Sequence, residues 1–104
     1  MTENFYVESN MEKIRDFFGK ENHDIQLIEE CAELIQAIAK VTKREKIHDV
    51  HINDYEHLIE EIADVELLLE HCKHHHNITD DEVEEMKNRK VNKCLLYIDH
   101  LEKR

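Results

Sequence analysis

The sequence contains one glycine and no proline among its 104 residues. Proteins built from β-strands need these residues at hairpins and tight turns, so this chain has very little turn chemistry for a sheet. Residues that favour helices, such as Glu, Lys, Leu and Ile, are abundant instead. The sequence therefore predicts an all-α fold.

The length predicts a single domain spanning residues 1–104, with a core that is small relative to its surface. Apolar residues spaced three and four apart predict a helical bundle. Its elements are a short helix that ends at Gly19, two long helices and a long C-terminal helix. The third helix is apolar over more than one face, which predicts burial by a second subunit as well. We therefore expect oligomerisation to complete the bundle.

Capping signatures predict where the helices begin. A Ser, Thr, Asp or Asn followed three residues later by Glu is typical of a helix N-terminus. The second helix is predicted over residues 25–43, and residues 43–53 are predicted as the longest loop. The predicted capping residues are Ser9 with Glu12, Asn22 or Asp24, Asn53 with Glu56, and Thr79 with Glu82.

The formal charge of −11 argues against a nucleic acid or an anionic membrane as the main partner. A small phosphate ligand remains compatible with this charge, because bound metal ions invert the local field. No apolar run approaches the roughly 20 residues that span a bilayer, and the N-terminus lacks signal-peptide features. We expect a cytoplasmic protein in which Cys31, Cys72 and Cys94 are buried free thiols.

Two acidic clusters lie inside apolar helical segments, at residues 29–33 and 60–64. Acids among apolar residues need a compensating partner. Glu30 and Glu33 share one helix face because they are three residues apart, and Glu61 and Asp64 do the same. If the two helices pack antiparallel, the pairs can face each other. Carboxylates brought together in this way favour Mg²⁺ or Mn²⁺ as counter-ions.

A simpler interpretation is that these acids are solvated. Acids are 25 of the 104 residues, so pairs with this spacing arise easily by chance. A non-catalytic helical interaction module is therefore the alternative from another functional class. The two chosen pairs differ from ordinary acidic faces because Ala32 and Leu34 flank Glu33, and Ala63 and Val65 flank Asp64.

The order Glu29-Glu30-Cys31-Ala32-Glu33 followed, after 27 residues, by Glu61-Ile62-Ala63-Asp64 resembles the EExxE…ExxD motif of MazG-type nucleoside triphosphate pyrophosphohydrolases. Residues 26–28, 34–37 and 65–66 are also similar to that family, and the likeness covers roughly residues 11–100. The resemblance implies a Mg²⁺-dependent homo-oligomer, dimer or tetramer, that converts a (d)NTP to a (d)NMP and pyrophosphate. A role in nucleotide-pool house-cleaning fits this chemistry. Phosphoribosyl-ATP pyrophosphohydrolase is the alternative within the same superfamily.

The resemblance also implies roles for individual residues. Metal ligands would be Glu30, Glu33, Glu61 and Asp64, and Glu29 would assist with a further ion or with the attacking water. Basic residues of the last helix would contact phosphate, although a solvated face paired with Glu84 and Glu85 explains them equally well. These candidates are Lys87, Arg89, Lys90 and Lys93, with Asn92 among them and Lys40 as a weaker one. Gln26, Phe17 or Phe18 could touch the base, with core packing as the alternative for both aromatic residues.

The tract from His71 to His76 is the competing site. His71 and His75 are four residues apart and could bind zinc from one helix face, which makes a zinc-binding module a third hypothesis. No CxxC or HExxH pattern supplies further ligands. The tract is therefore interpreted as a solvated helix end, and the other histidines, including His23, show no shared spacing. A single glycine also excludes a glycine-rich phosphate loop.

Overall fold

The computed structural model describes residues 3–104 and confirms the all-α prediction for them. These residues form four helices, with no strand among them: α1 Glu8–Phe18, α2 Lys20–Lys46, α3 Ile52–His75 and α4 Asp80–Glu102. Helix α2 extends beyond its predicted bounds of residues 25–43, and α3 begins before its predicted capping residue Asn53, so the loop between them is short. No helix of residues 3–104 is long and apolar enough to cross a membrane.

Helices α2 and α3 form an antiparallel hairpin, the arrangement in which the two acidic pairs can face each other. Near the start of α2, a ring nitrogen of His23 lies 3.0 Å from one of His75, which ends α3. Near the end of α2, Arg44 donates to the Asp54 carboxylate at 2.8 Å, in the first turn of α3. Because each helix start meets the other helix's end, the two acidic clusters lie at matching heights.

Two predicted helix boundaries are confirmed. Gly19 ends α1 with φ of +83°, a conformation that glycine adopts without strain, and its N–H donates to the Arg15 carbonyl at 3.0 Å. The Thr79 hydroxyl accepts from the Glu82 N–H at 3.1 Å, while the Glu82 carboxylate accepts from the Thr79 N–H at 3.0 Å. This reciprocal pair is the predicted capping box at the start of α4.

The other capping predictions are wrong. Helix α1 begins at Glu8, before Ser9, and α2 begins directly after Gly19, so that Asn22 and Asp24 lie inside it. Helix α3 begins before Asn53. Its first turn is closed by Asp54, whose carboxylate accepts from the His51 N–H at 3.0 Å. Arg44 of α2 donates a hydrogen bond to the same carboxylate. This contact between two helices favours the observed start of α3 over the start that Asn53 and Glu56 predict.

The buried core lies between α2 and α3 and is partly polar. Its apolar members are Ala37, Val41, Val65 and Leu68, with Met11 from α1; its polar members are Arg15, His23, Asp54, Glu61 and His71. Ile38, Ile62 and Leu69, which the periodicity assigns to the core, are largely exposed, and Phe17 is 81% exposed. The faces of α2 and α3 that pack together are thus the ones that carry carboxylates and histidines. The aliphatic residues predicted for the core lie instead on exposed sides of the hairpin.

Helix α4 has no buried residue and makes few contacts with α2 and α3, although Lys73 of α3 forms a salt bridge with Asp80 in its first turn. The predicted apolar stripe of α4 is exposed in the single chain, and so is Cys94, contrary to its expected burial. The accessible surface is 8851 Å², against about 6,200 Å² for a compact monomer of this size. The radius of gyration is 17.9 Å rather than about 13 Å. The chain therefore exposes far more surface than a self-contained domain.

Candidate metal centre and adjoining cleft

Three acidic side chains converge at the middle of the hairpin. Glu30 and Glu33 project from one face of α2, and Glu61 projects from α3 toward them. Each offers a carboxylate oxygen, and these oxygens all lie within 4.8 Å of one another. Glu61 is only 4% exposed, Glu30 is half-buried and Glu33 is exposed, so the group opens to solvent on one side.

The carboxylates of this group lack hydrogen-bond partners and neighbouring positive charges among residues 3–104. Oε2 of Glu30 and Oε2 of Glu61 are buried without a hydrogen-bond partner, whereas buried polar atoms are nearly always bonded. Burial, followed by the neighbouring carboxyl groups of Glu61 and Glu33, raises the pKa of Glu30 to about 7. Among residues 3–104, no Lys, Arg or His forms a salt bridge with any of the three.

This donor set fits a hard divalent cation. Mg²⁺ and Mn²⁺ prefer carboxylate oxygens, and their charge would allow all three acids to ionise together. The buried, unpartnered oxygens of Glu30 and Glu61 are where such an ion would be bound.

A cleft of about 450 Å³ lies within one helical turn of the carboxylates. Asp64, one helical turn beyond Glu61, contributes to its wall, and so does Gln26, one turn before Glu30. Most of the remaining wall is apolar or aromatic. The other lining residues are Phe5, Tyr6, Met11, Ile14, Phe18, His23, Leu67, Leu68 and His71.

The MazG nucleotide pyrophosphohydrolase domain matches residues 18–94. The chain belongs to this family. Its MazG domain contains α2, α3 and the first two thirds of α4, and therefore both acidic clusters and the cleft wall formed by the hairpin. Searches of curated proteins and of solved structures returned no match.

Two of the residues to which the MazG resemblance assigns roles lie beside the carboxylate group rather than within it. Asp64 is half-buried and faces the cleft, and it is not one of the three acids whose oxygens converge. Glu29 is exposed on α2, next to Glu30.

Among residues 3–104, the basic residues of α4 form no salt bridge with the three converging carboxylates. Lys87 pairs with Glu84 at 3.5 Å and Arg89 pairs with Glu85 at 2.8 Å, which is the solvated arrangement that the sequence allows. Lys90 and Asn92 are exposed on the same helix, and Lys40 is exposed on α2. The single chain therefore brings Gln26 to the cleft, but not Lys87, Lys90 or Asn92.

Histidines close the cleft at the end of the hairpin. The rings of His23 and His71 stack with centroids 4.3 Å apart and planes inclined by 8°, and both are buried. Burial, with the positive charge of nearby groups second, lowers the pKa of His71 to about 4 and also lowers that of His23. Both rings are therefore neutral near pH 7.

The interpretation of the histidine tract as a solvated helix end is wrong for His71, and His23 is not isolated. A sequence signal for His23 existed: it precedes Leu27 and Cys31 at helical spacing and so belongs to the contact face of α2. Phe5 and Tyr6 were also missed as cleft residues. They precede the first helix and carry no periodic signal, although aromatic residues are only 6% of the chain.

Proposed function

We propose that this MazG protein is a Mg²⁺-dependent nucleoside triphosphate pyrophosphohydrolase, which converts a (d)NTP to a (d)NMP and pyrophosphate. The observation that supports this activity most is the group of three converging carboxylates with two buried, unpartnered oxygens, next to a nucleoside-sized cleft. Mn²⁺ is a second suitable cofactor because it prefers the same oxygen ligands.

Glu30, Glu33 and Glu61 would hold divalent ions, with Asp64 completing the ligand set from the cleft side. When bound, such ions lower the pKa of a water molecule and offset the negative charge of the phosphates. Glu61 is the most buried of the three acids. We assign to the exposed Glu29 the orientation of the attacking water, since it adjoins the ligands at the solvent-facing side of α2.

The nucleoside portion of the substrate would occupy the cleft. Its volume lies within the roughly 300–1,000 Å³ typical of small-molecule sites. The aromatic ring of Phe18 offers an apolar surface for a base, and the amide of Gln26 can both donate and accept hydrogen bonds. Because Asp64 lies on the same wall, a bound nucleotide would extend its phosphates toward the three converging carboxylates.

A second copy of the chain would complete the site. The chain exposes roughly 2,600 Å² more surface than a compact monomer, which is the scale of an obligate interface. Much of the exposed apolar surface lies on α4, including Leu95 and Ile98. In such a homo-oligomer, dimer or tetramer, Lys87, Lys90 and Asn92 of one copy would contact the phosphates bound by its neighbour.

The activity is tested by measuring pyrophosphate release from a panel of canonical and modified (d)NTPs, with phosphoribosyl-ATP as a comparator. With Mg²⁺, at least one substrate should be cleaved, and Glu30→Gln or Asp64→Asn should lower kcat/KM by about 100-fold or more. Glu60→Gln is the matched control, since Glu60 adjoins Glu61 but is exposed. Preference for modified nucleotides would support house-cleaning. No release with Mg²⁺ or Mn²⁺ on any substrate would contradict the proposal.

A further inference from the structure

A second group of metal-binding side chains lies at the end of the hairpin, apart from the carboxylates. Asp24 belongs to the start of α2, whereas Cys72 lies in the last turn of α3 and His76 directly follows that helix. One donor atom from each of the three lies within 4.8 Å of the other two. Oδ2 of Asp24 and Nε2 of His76 are already 2.7 Å apart.

The chemistry of these donors differs from that of the three glutamates. A thiolate, an imidazole and a carboxylate suit zinc, whereas Mg²⁺ prefers oxygen ligands alone. We propose that Asp24, Cys72 and His76 bind a zinc ion that joins the start of α2 to the end of α3. Water would occupy the fourth position of a tetrahedral ion.

The geometry requires only small side-chain movements. Around a tetrahedral zinc ion, ligand atoms of these types are about 3–4 Å apart, so the present separations need to change by about 1 Å. An ion has access, because the side chains of Asp24 and His76 are 32% and 36% exposed. Cys72 and His76 are four residues apart, so that they share one face at the end of α3.

An ion pair between Asp24 and His76 explains part of this arrangement without zinc. It does not involve the thiol of Cys72, which points to the same place. Burial and the negative charge of Asp24 raise the pKa of that thiol, so without metal it is protonated. Zinc binding would displace the proton, as metals do when they bind cysteine.

Cys72 and His76, the two proposed ligands from the end of α3, each lie one residue after the pair of histidines that the sequence suggests. His71 and His75 have the same spacing, but the ring of His71 stacks on His23, and a nitrogen of His75 lies 3.0 Å from one of His23. Within residues 3–104, neither His71 nor His75 belongs to a group of three converging donors. The register of the hairpin therefore places Cys72 and His76, rather than those two, opposite an acidic residue.

Cobalt binding provides the direct test. Co²⁺ added to the metal-free protein should bind with one equivalent at this site and produce the near-ultraviolet charge-transfer absorption of a cobalt–thiolate bond. Zn²⁺ should bleach the band. Cys72→Ser should abolish it, and His76→Ala should weaken Co²⁺ binding by about 10-fold or more. Cys94→Ser is the matched control and should leave the spectrum unchanged, because Cys94 lies on α4.

A second measurement uses the unmodified chain and so does not depend on how variants fold. Zn²⁺ should slow alkylation of Cys72 by iodoacetamide but not alkylation of Cys94, as read by peptide mass spectrometry. Glu30→Gln should keep both the cobalt band and the protection, since this site does not depend on the proposed hydrolase activity. A band that survives Cys72→Ser, a band that is lost in Glu30→Gln, or no protection of Cys72 would each overturn the proposal.

Discussion

The carboxylates of Glu30 and Glu61 meet across the α2–α3 interface, and each keeps one buried oxygen that no donor among residues 3–104 satisfies. Such an arrangement is stable only if the pair binds a proton or a cation. The raised pKa of Glu30, about 7, means that the pair binds a proton more readily than a free carboxylate does. A divalent ion would replace that proton, so the proton and the metal compete for the same oxygens.

This competition predicts how the stability of the metal-free protein varies with pH. The pKa of Glu30 is raised from 4.5 to about 7, so its favourable contribution is complete below about pH 4.5 and is lost as the pH rises through 7. In EDTA, Glu30→Gln should therefore have nearly the wild-type Tm at about pH 5 and a Tm several degrees higher at about pH 8. Saturating Mg²⁺ should reverse that order. Circular dichroism during heating measures both effects.

The difference between the two proteins is the informative quantity, because His23 and His71 also titrate. Their pKa values are lowered from 6.5, so both destabilise the fold as the pH falls below that value. This contribution is common to wild type and Glu30→Gln and cancels in the difference. Glu60→Gln should follow the wild-type curve. If Tm varied with pH in the same way for wild type and Glu30→Gln in EDTA, Glu30 would not be an acid whose pKa is raised by folding.

The cleft predicts a contrast between adjacent phenylalanines. Phe18 lines the cleft, whereas Phe17 is 81% exposed and does not. If a base stacks on Phe18, Phe18→Ala should raise KM by roughly 10-fold with little change in kcat, because the reacting phosphates lie elsewhere. Phe17→Ala should leave both constants unchanged. Steady-state kinetics with the best substrate of the panel would measure kcat and KM for both variants. Equal effects of the two substitutions would argue against a base in this cleft.

The first turn of α3 predicts a contrast between Asn53 and Asp54. The His51 N–H and then the Arg44 guanidinium hold the pKa of Asp54 below its usual value. Its contribution to stability is therefore present above about pH 3.8 and is lost as the pH falls. Asp54→Ala should lower the Tm by several degrees at neutral pH and by less in acid. Asn53→Ala should leave the Tm unchanged or slightly higher, since Asn53 is already helical.

If Asn53→Ala were instead the destabilising change, the helix start predicted from the sequence would be the correct one. The two candidates are neighbours, and local chemistry favours Asn53 with Glu56. Asp54 is used instead because the guanidinium of Arg44, ten residues earlier in the chain, donates a hydrogen bond to its carboxylate across the turn. Capping residues compete with one another, so a contact that forms only in the folded chain decides which of them is used.

The helices and the shared face of Glu30 and Glu33 were predictable because both depend on local periodicity, whereas the approach of Glu61 to them depends on how two helices pack. Scarce glycine and proline limit the fold, and spacing places Glu30 and Glu33 on one face. The stacking of His23 on His71 was not predictable, because it joins residues that are far apart in the sequence, on two different helices, and depends on the register of the hairpin. Nor does periodicity reveal where α4 packs: an apolar stripe indicates that a partner exists, not which chain provides it.

The position of α4 makes a prediction about subunits. Lys87 and Lys90 lie on a helix that makes few contacts with α2 and α3 of its own chain, so in the proposed oligomer they would assist the reaction at a neighbouring copy's site. The double variant Lys87→Ala/Lys90→Ala should therefore lose activity, as should Glu30→Gln. When the two inactive proteins are mixed and allowed to exchange subunits, some sites combine intact glutamates from one chain with intact lysines from the other.

With free exchange at equal amounts, about a quarter of the sites should be intact, and activity should recover to about a quarter of the wild-type value. A mixture of Glu30→Gln with Glu61→Gln is the control. These two acids converge within one chain, so no combination of subunits restores them and no activity should return. Light scattering would establish that both mixtures contain oligomers. Recovery in neither mixture, despite subunit exchange, would place the phosphate contacts of α4 outside the mechanism.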